Sequence, residues 1–288
     1  KAVVTCFPGY TAAGVLNTAS PAFGIVDIRD RSLASLGAYW SAASGANIHH
    51  PAHWNATNVG LVFGIAIDKQ HNFYLSSTTV YGCPSTSFNP FGPAGAAGIY
   101  RVDPADIITP FITTGAFNTS GTGTTIPNSG SGLGNLCYDP DHDQLFVTNF
   151  SDGMIYRIKG GLVVDRFDPF TTTNPVSTDN PNFVALGERP WGIAYSKVDK
   201  RVYFSRWRED RGRPNSSIYN EIWSVGLTGA GGFSGVCAGG TCSGGDVKEF
   251  DVPDHVDTYG GISQSYSNPV SDIAFSDKGL MLIAERSM

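Results

Sequence analysis

The apolar and polar positions of this chain fall into four similar stretches: "FGIAIDKQHNFYLSST" from Phe63, "GNLCYDPDHDQLFVTN" from Gly134, "WGIAYSKVDKRVYFSR" from Trp191 and "SDIAFSDKGLMLIAER" from Ser271. In each, a short apolar run gives way to a polar turn of Asp, Ser, Lys or Gly. A second run of β-branched and aromatic residues follows. This pattern predicts an antiparallel hairpin, four times over.

A third apolar strand follows each of the first three hairpins, as "GIYRV" at 98–102, "MIYRI" at 154–158 and "EIWSV" at 221–225. A fourth follows as "ITPFIT", "LVVDRF" and "DVKEFDV". Units of four antiparallel strands predict an all-β fold, a β-propeller, with blades at about 61–115, 133–170, 190–252 and 270–288. The last hairpin is followed by too little chain for two more strands. Yet "FGIVDI" at 23–28 matches the third strands, and "SLGAYW" at 35–40 supplies a fourth. One propeller domain over 1–288 is therefore expected, its closing blade completed by 23–40, which hides two sheet edges. Exchange of that half-blade between copies would give a homo-oligomer instead.

The cadence "WGIAYSKVDKRVYFSR…NEIWSV" and "SDIAFSDKGLMLIAER" resembles extracellular β-propellers of the NHL and SMP-30 (gluconolactonase)-like type, over roughly residues 23–288. Those families commonly have six blades, whereas four units are legible here. The chain is either a compact four-blade ring or a piece of a longer one. The repeats are shared by enzymes, lectins and scaffolds, so the resemblance speaks to architecture more than to activity. SMP-30-like enzymes hold a divalent metal at the channel mouth with Glu, Asn and Asp. The resemblance thereby implies a set of the same types here, Asn135, Asp272 and Glu285, whose oxygens suit calcium. Structural hydrogen bonding is the competing reading of these residues.

Loop lengths point to one face. The turns between first and second strands are short, while 41–60, 78–97, 113–132, 168–189, 206–220 and 253–269 all emerge on the other rim. Connections ordinarily run about 4–6 residues, and loops beyond ~12 usually have work to do. Trp54, Trp191 and Trp207 fall on links or strand ends of that rim, with Arg206 beside them. Aromatic faces next to such polar groups suit carbohydrate rings, and plugging between blades is the alternative. Trp223 aligns with Tyr100 and Tyr156 and is expected to pack between blades.

"IHHPAHWN" places His49, His50 and His53 on the same rim. Zinc would require three or four converging ligands, and Pro51 rules out the helical spacing that would align two of them. Hydrogen-bonded histidines are expected, with a zinc set as the alternative. Asp139, Asp141 and Asp143 alternate as calcium ligands do, but Gln144 and Phe150 stand where an EF-hand loop needs Gly and Glu. Turn chemistry accounts for them.

Composition narrows the partners. Net charge is −6, charged residues are 15% of the chain, and there is no basic run, which disfavours nucleic acid and anionic membranes. No apolar run approaches the ~20 residues of a membrane span. The chain opens at Lys1 without a basic-then-apolar leader, as after removal of a signal or trimming of the ends. Cys237 and Cys242 are expected to form a local disulfide, Cys6 and Cys83 could form a second, and Cys137 should be a buried thiol. Sequons stand at Asn55, Asn118, Asn149 and Asn215. A secreted or cell-surface location fits these features. No nucleophile elbow, zinc-protease helix, P-loop or haem-attachment motif is present. The favoured function is noncatalytic binding of a glycan, an extracellular protein or further copies of the chain. The alternative is a metal-dependent lactonase- or esterase-like hydrolase.

Overall fold

The computed structural model describes residues 1–13, 15–27, 48–80, 89–170, 173–209, 218–253, 255–257 and 264–286. It begins with a three-stranded antiparallel sheet in which β1 (Ala2–Thr5) pairs with β2 (Phe23–Val26), and β2 with β3 (Ile48–His49). One helical turn, α1 (Ala56–Val59), follows, its first residues capped by the Asn55 side chain, which accepts from the Asn58 amide at 3.3 Å.

The first repeat is β4 (Val62–Ile67), β5 (Phe73–Ser77), β6 (Ile99–Val102) and β7 (Ile108–Thr114), extended at its outer edge by the parallel pair of β7 with β8 (Thr125–Ile126). The second is β9 (Leu133–Asp139), β10 (Gln144–Asn149), β11 (Ile155–Lys159) and β12 (Leu162–Asp168). The third begins with β13 (Arg189–Ser196), β14 (Arg201–Trp207) and β15 (Glu221–Gly226). Before its outer strand, the chain forms a small hairpin, β16 (Val236–Ala238) and β17 (Thr241–Ser243), and then returns as β18 (Asp246–Asp251). A two-stranded link, β19 (His255–Asp257) with β20 (Gln264–Tyr266), leads to the last hairpin, β21 (Val270–Phe275) with β22 (Met281–Glu285).

Successive sheets meet at their first strands: β1 lies beside β4, β4 beside β9, β9 beside β13 and β13 beside β21. Sheets of up-and-down strands succeeding one another about their inner strands make a β-propeller. A hydroxyl repeated on the second strand fastens each of these three repeats to the next. Ser76 Oγ donates to the Gly134 carbonyl at 2.8 Å, Thr148 Oγ1 to that of Trp191 at 2.8 Å, and Ser205 Oγ to that of Val270 at 2.7 Å. These hydroxyls are buried, so each bond also satisfies a backbone carbonyl that water cannot reach.

The structure corrects the expected closure. Phe23–Val26 does not complete the last hairpin; it pairs with β1 in the register Ala2↔Val26 to Thr5↔Phe23. The short "AVVT" strand supplies the edge that the repeats would have borrowed from the C-terminal hairpin. The stretch 28–47, containing the expected strand at 35–40, lies outside the described residues.

The disulfide joins Cys237 to Cys242 across the β16–β17 hairpin. This hairpin does not stay with its own sheet. β17 runs parallel to β12, with Phe167 opposite Cys242, and so covers the outer edge of the preceding sheet. Cys83 lies outside the described residues. Cys137 is a free, half-buried thiol, and burial pushes its ionisation upward. Among the described residues, no helix is long and apolar enough to cross a membrane.

Candidate functional site

The four aligned first-strand positions, Gly64, Asn135, Gly192 and Asp272, meet in one layer of the central channel. Asn135 Nδ2 donates to Asp272 Oδ1 at 2.7 Å, although 137 residues separate the two. The flanking glycines make room: a Cβ on Gly64 would come within 2.9 Å of Asn135 Oδ1, and one on Gly192 within 3.1 Å of the Asp272 amide nitrogen. Asn135 Oδ1 accepts from the Leu136 amide at 2.8 Å, and Asp272 Oδ1 also accepts from that of Ile273 at 2.8 Å. Burial raises the Asp272 pKa; the Ile273 amide and Asn135 oppose the shift. Both side chains line a cavity of about 540 Å³, with Val3, Thr5 and Ile65 on its other walls. Glu285 is exposed at the end of β22, opposite Val270. The set Asn135, Asp272 and Glu285 thus divides into a hydrogen-bonded pair and an outlying carboxylate. Asn135 turns its amide nitrogen toward Asp272, so the two are joined as donor and acceptor.

The tryptophans expected on an open rim are interior. Trp54 is fully buried, stacked on Phe23 at 4.4 Å and edge-on to Phe73. Trp191 is fully buried too, 4.7 Å from Trp207 in a cluster with Phe63, Phe150 and Phe183. Trp54 packs between the N-terminal sheet and the first repeat, and Trp191 among residues of three repeats, so both rings are core and not open platforms. Trp207, 4% exposed, lines a cavity. That cavity, about 260 Å³, opens among the long links, between Val80, Trp207 and the segment 177–189. Arg189 is stacked 4.5 Å over Trp207 and 4.8 Å over Phe183, while its Nε and Nη2 donate to the Val184 carbonyl. Ser177, Asp179 and Asn180 supply polar groups at the mouth.

Arg206 sits outside this cavity, in an ion-pair network. Its Nη1 lies 3.2 Å from Glu221, its Nη2 3.7 Å from Glu188, and its guanidinium is stacked over Phe170 at 4.5 Å. Trp223 is half-buried against Phe170 and donates to Glu221 at 2.8 Å.

The histidines are tied to a turn. His49 Nε2 is 3.0 Å from Asp106 Oδ2, and His53 Nε2 is 2.7 Å from the Asp106 carbonyl oxygen. Asp106 takes a φ of 66°, so its own turn aims both acceptors at the incoming loop. The aspartates of "DPDHD" also diverge: Asp139 bonds His142 and Gln144, Asp141 bonds Tyr195 and Lys200, and Asp143 accepts from Tyr138. Among the described residues, no three His, Cys, Asp or Glu are grouped to hold a metal ion. Of the sequons, Asn149 is fully buried and bonded to Pro127, which leaves it closed to glycosylation in the folded chain.

Asp152, beside Asn149, is an acid that sequence reasoning missed. Burial pushes its pKa up to about 6, against hydrogen bonds from Tyr156 at 2.6 Å and the Met154 amide at 3.0 Å. A raised carboxyl pKa means that the folded state binds the proton more tightly than the unfolded one. Its contribution therefore favours folding most below pH about 4 and declines as pH rises through about 6. Asp152→Asn is expected to remove this decline. Urea midpoints of the two proteins should diverge in the variant's favour between pH 4 and 7, and parallel midpoints would refute the assignment.

No family model matches the chain, and no curated protein matches it. Among solved structures, it is similar to a chain of the nidogen/laminin complex, with 10% identity, 91% of this chain and 66% of that one covered, and a TM-score of 0.49. It is also similar to streptogramin B lyase (16% identity, 78% and 62% covered, TM-score 0.38). A third likeness is to the PQQ-bound aldose sugar dehydrogenase of Streptomyces coelicolor (14% identity, 88% and 61% covered, TM-score 0.39). The chain spans less than two thirds of the length of each of these structures.

Proposed function

We propose that this chain is a noncatalytic β-propeller of the cell surface or extracellular space that binds a glycan or a protein partner, further copies of itself included, through its loop-rich face. The observation that carries this reading is the 260 Å³ cavity among the long links, where aromatic walls at Trp207 and Phe183 meet polar groups at Ser177, Asp179 and Asn180. An apolar floor with a few polar groups at the mouth is the usual build of a small-ligand site. The Cys237–Cys242 disulfide supports an oxidising compartment.

The test is a glycan array and a panel of extracellular proteins, followed by titration of each hit. Asp179→Ala and Asn180→Ala are expected to weaken binding tenfold or more with an unchanged melting temperature. Binding indifferent to both substitutions would overturn the assignment to this face.

The rival reading, a metal-dependent lactonase- or esterase-like hydrolase, is favoured by one observation, the Asp272 carboxyl on the wall of the channel cavity, with its pKa raised. Metal-stimulated lactone hydrolysis abolished by Asp272→Ala would establish it.

A further inference from the structure

The third strands of the first two blades carry the same sequence, Ile-Tyr-Arg, but their arginines meet different surroundings. In the second blade, Arg157 lies opposite Asp165 on the outer strand. Its Nε donates to Asp165 Oδ1 at 2.7 Å, its Nη2 to Oδ2 at 2.5 Å, and its Nη1 to Gln144 Oε1 at 3.0 Å. A bidentate arginine–carboxylate pair with one further acceptor satisfies the guanidinium.

In the first blade, the equivalent Arg101 faces Thr109 in place of the aspartate. The residue equivalent to Gln144 is Asn72, one methylene shorter, whose amide is bonded to Asp68 at 2.7 Å. Arg101 therefore lacks both partners that its counterpart has. Its Nε is buried and makes no hydrogen bond. A buried donor of a charged group left unmade is costly, and such an atom calls for an explanation.

The space beside it differs as well. Between the second and third blades, the loop 228–233 fills the crevice: the Gly231 carbonyl accepts from Gln144 at 2.9 Å, and Phe233 packs 5.4 Å from Phe146. Between the first and second blades, the corresponding link is only the Gly160–Gly161 turn. It leaves a cleft of about 360 Å³, whose walls include Arg101, Phe111, Tyr74, Asn72 and Asp143. The crevice that one blade closes with its own chain, the other leaves open around an unpaired guanidinium edge.

We propose that this cleft binds a hexuronate residue of an acidic glycan, the sugar carboxylate taking on Arg101 the place that Asp165 takes on Arg157. The volume accommodates a pyranose ring, the half-buried Phe111 offers its C–H faces a flat wall, and Asp143 and Asn72 stand ready for hydroxyl groups. Asp68 and Asp143 line the same cleft, so a peptide bearing several carboxylates meets repulsion where sugar hydroxyls find acceptors. The site lies between two blades near their 1–2 and 3–4 turns, opposite the loop-rich face, and is independent of the cavity at Trp207.

Titration calorimetry with glucuronate and trigalacturonate, against glucose and trigalactose, tests it. The acidic sugars should bind saturably and at least tenfold more tightly than the neutral ones. Arg101→Gln should remove that preference. Thr109→Asp supplies the missing acid within the chain, so it should abolish uronate binding while leaving the melting temperature equal or higher, which excludes misfolding as the cause. Asp179→Ala should leave uronate binding unchanged, separating this site from the loop-rich face. Uronate binding no stronger than that of neutral sugar, or unaltered in Thr109→Asp, would overturn the proposal. So would binding of hexaglutamate in preference to the uronates.

Discussion

Trp191→Ala should lower the stability of the fold by about 3–5 kcal/mol, the range for emptying a large aromatic site in a packed core. The ring is fully buried and lies where several sheets converge. Trp207 of its own sheet is 4.7 Å away, Phe63 of the first blade 5.6 Å and Phe150 of the second 5.7 Å, while the Arg286 guanidinium, beyond the last strand, lies 5.3 Å over it. Trp207 and Phe63 are held in strands and cannot collapse into the cavity without leaving their sheets, so little of the loss can be recovered by relaxation. Trp191→Phe should cost much less. The indole Nε1 is buried without a hydrogen-bond partner, and phenylalanine removes that unsatisfied donor along with the second ring. Urea unfolding of both variants provides the measurement. Equal midpoints for Trp191→Ala and the parent would show that the aromatic cluster does not fasten the blades together.

The repeats were legible because strand and turn alternate with a strong period. The four quoted hairpins are β4–β5, β9–β10, β13–β14 and β21–β22, and the third and fourth strands follow as β6–β7, β11–β12 and β15 with β18. Strand β1 was not legible: Ala-Val-Val-Thr is four residues long, lies outside the repeat, and becomes a strand only when β2 pairs with it. The docking of β17 on β12 was also hidden, since parallel pairing between segments about 75 residues apart depends on the tertiary arrangement. Burial of the tryptophans depended on packing between sheets, which periodicity does not report. By contrast, the aligned channel layer was readable, and Asn135 and Asp272 do meet. The unpaired Arg101 was not legible: aligning "ITPFIT" with "LVVDRF" sets Phe111 against Asp165, and only the strand register, with its bulge in the second blade, places Thr109 opposite Arg101 where Asp165 stands opposite Arg157.

Glu221→Ala is the charge change with the largest expected effect, about 3 kcal/mol, at the lower end of the range for breaking a buried ion pair. The carboxylate is 4% exposed and receives Arg208 at 2.5 Å, Trp223 Nε1 at 2.8 Å, Arg206 at 3.2 Å and Lys248 at 3.4 Å. Removing it leaves three cations facing one another. Arg208 and Lys248, with 34% and 39% of their side chains exposed, can turn to water, which moderates the cost; Arg206, at 17%, is more confined. The same carboxyl should mark the acid limit of the fold. Burial raises its pKa, but the Trp223 N–H together with Arg208 and Arg206 outweighs burial and holds it below the ordinary 4.5. A depressed carboxyl pKa contributes stability above the unfolded-state value and loses it as pH falls through the folded-state value. The difference in unfolding free energy between the parent and Glu221→Gln should therefore be full at pH 6 and shrink steadily below pH 4.5. A difference independent of pH over that span would mean that the side chain acts through its shape, with the charge network of Arg206, Arg208 and Lys248 contributing nothing to folding.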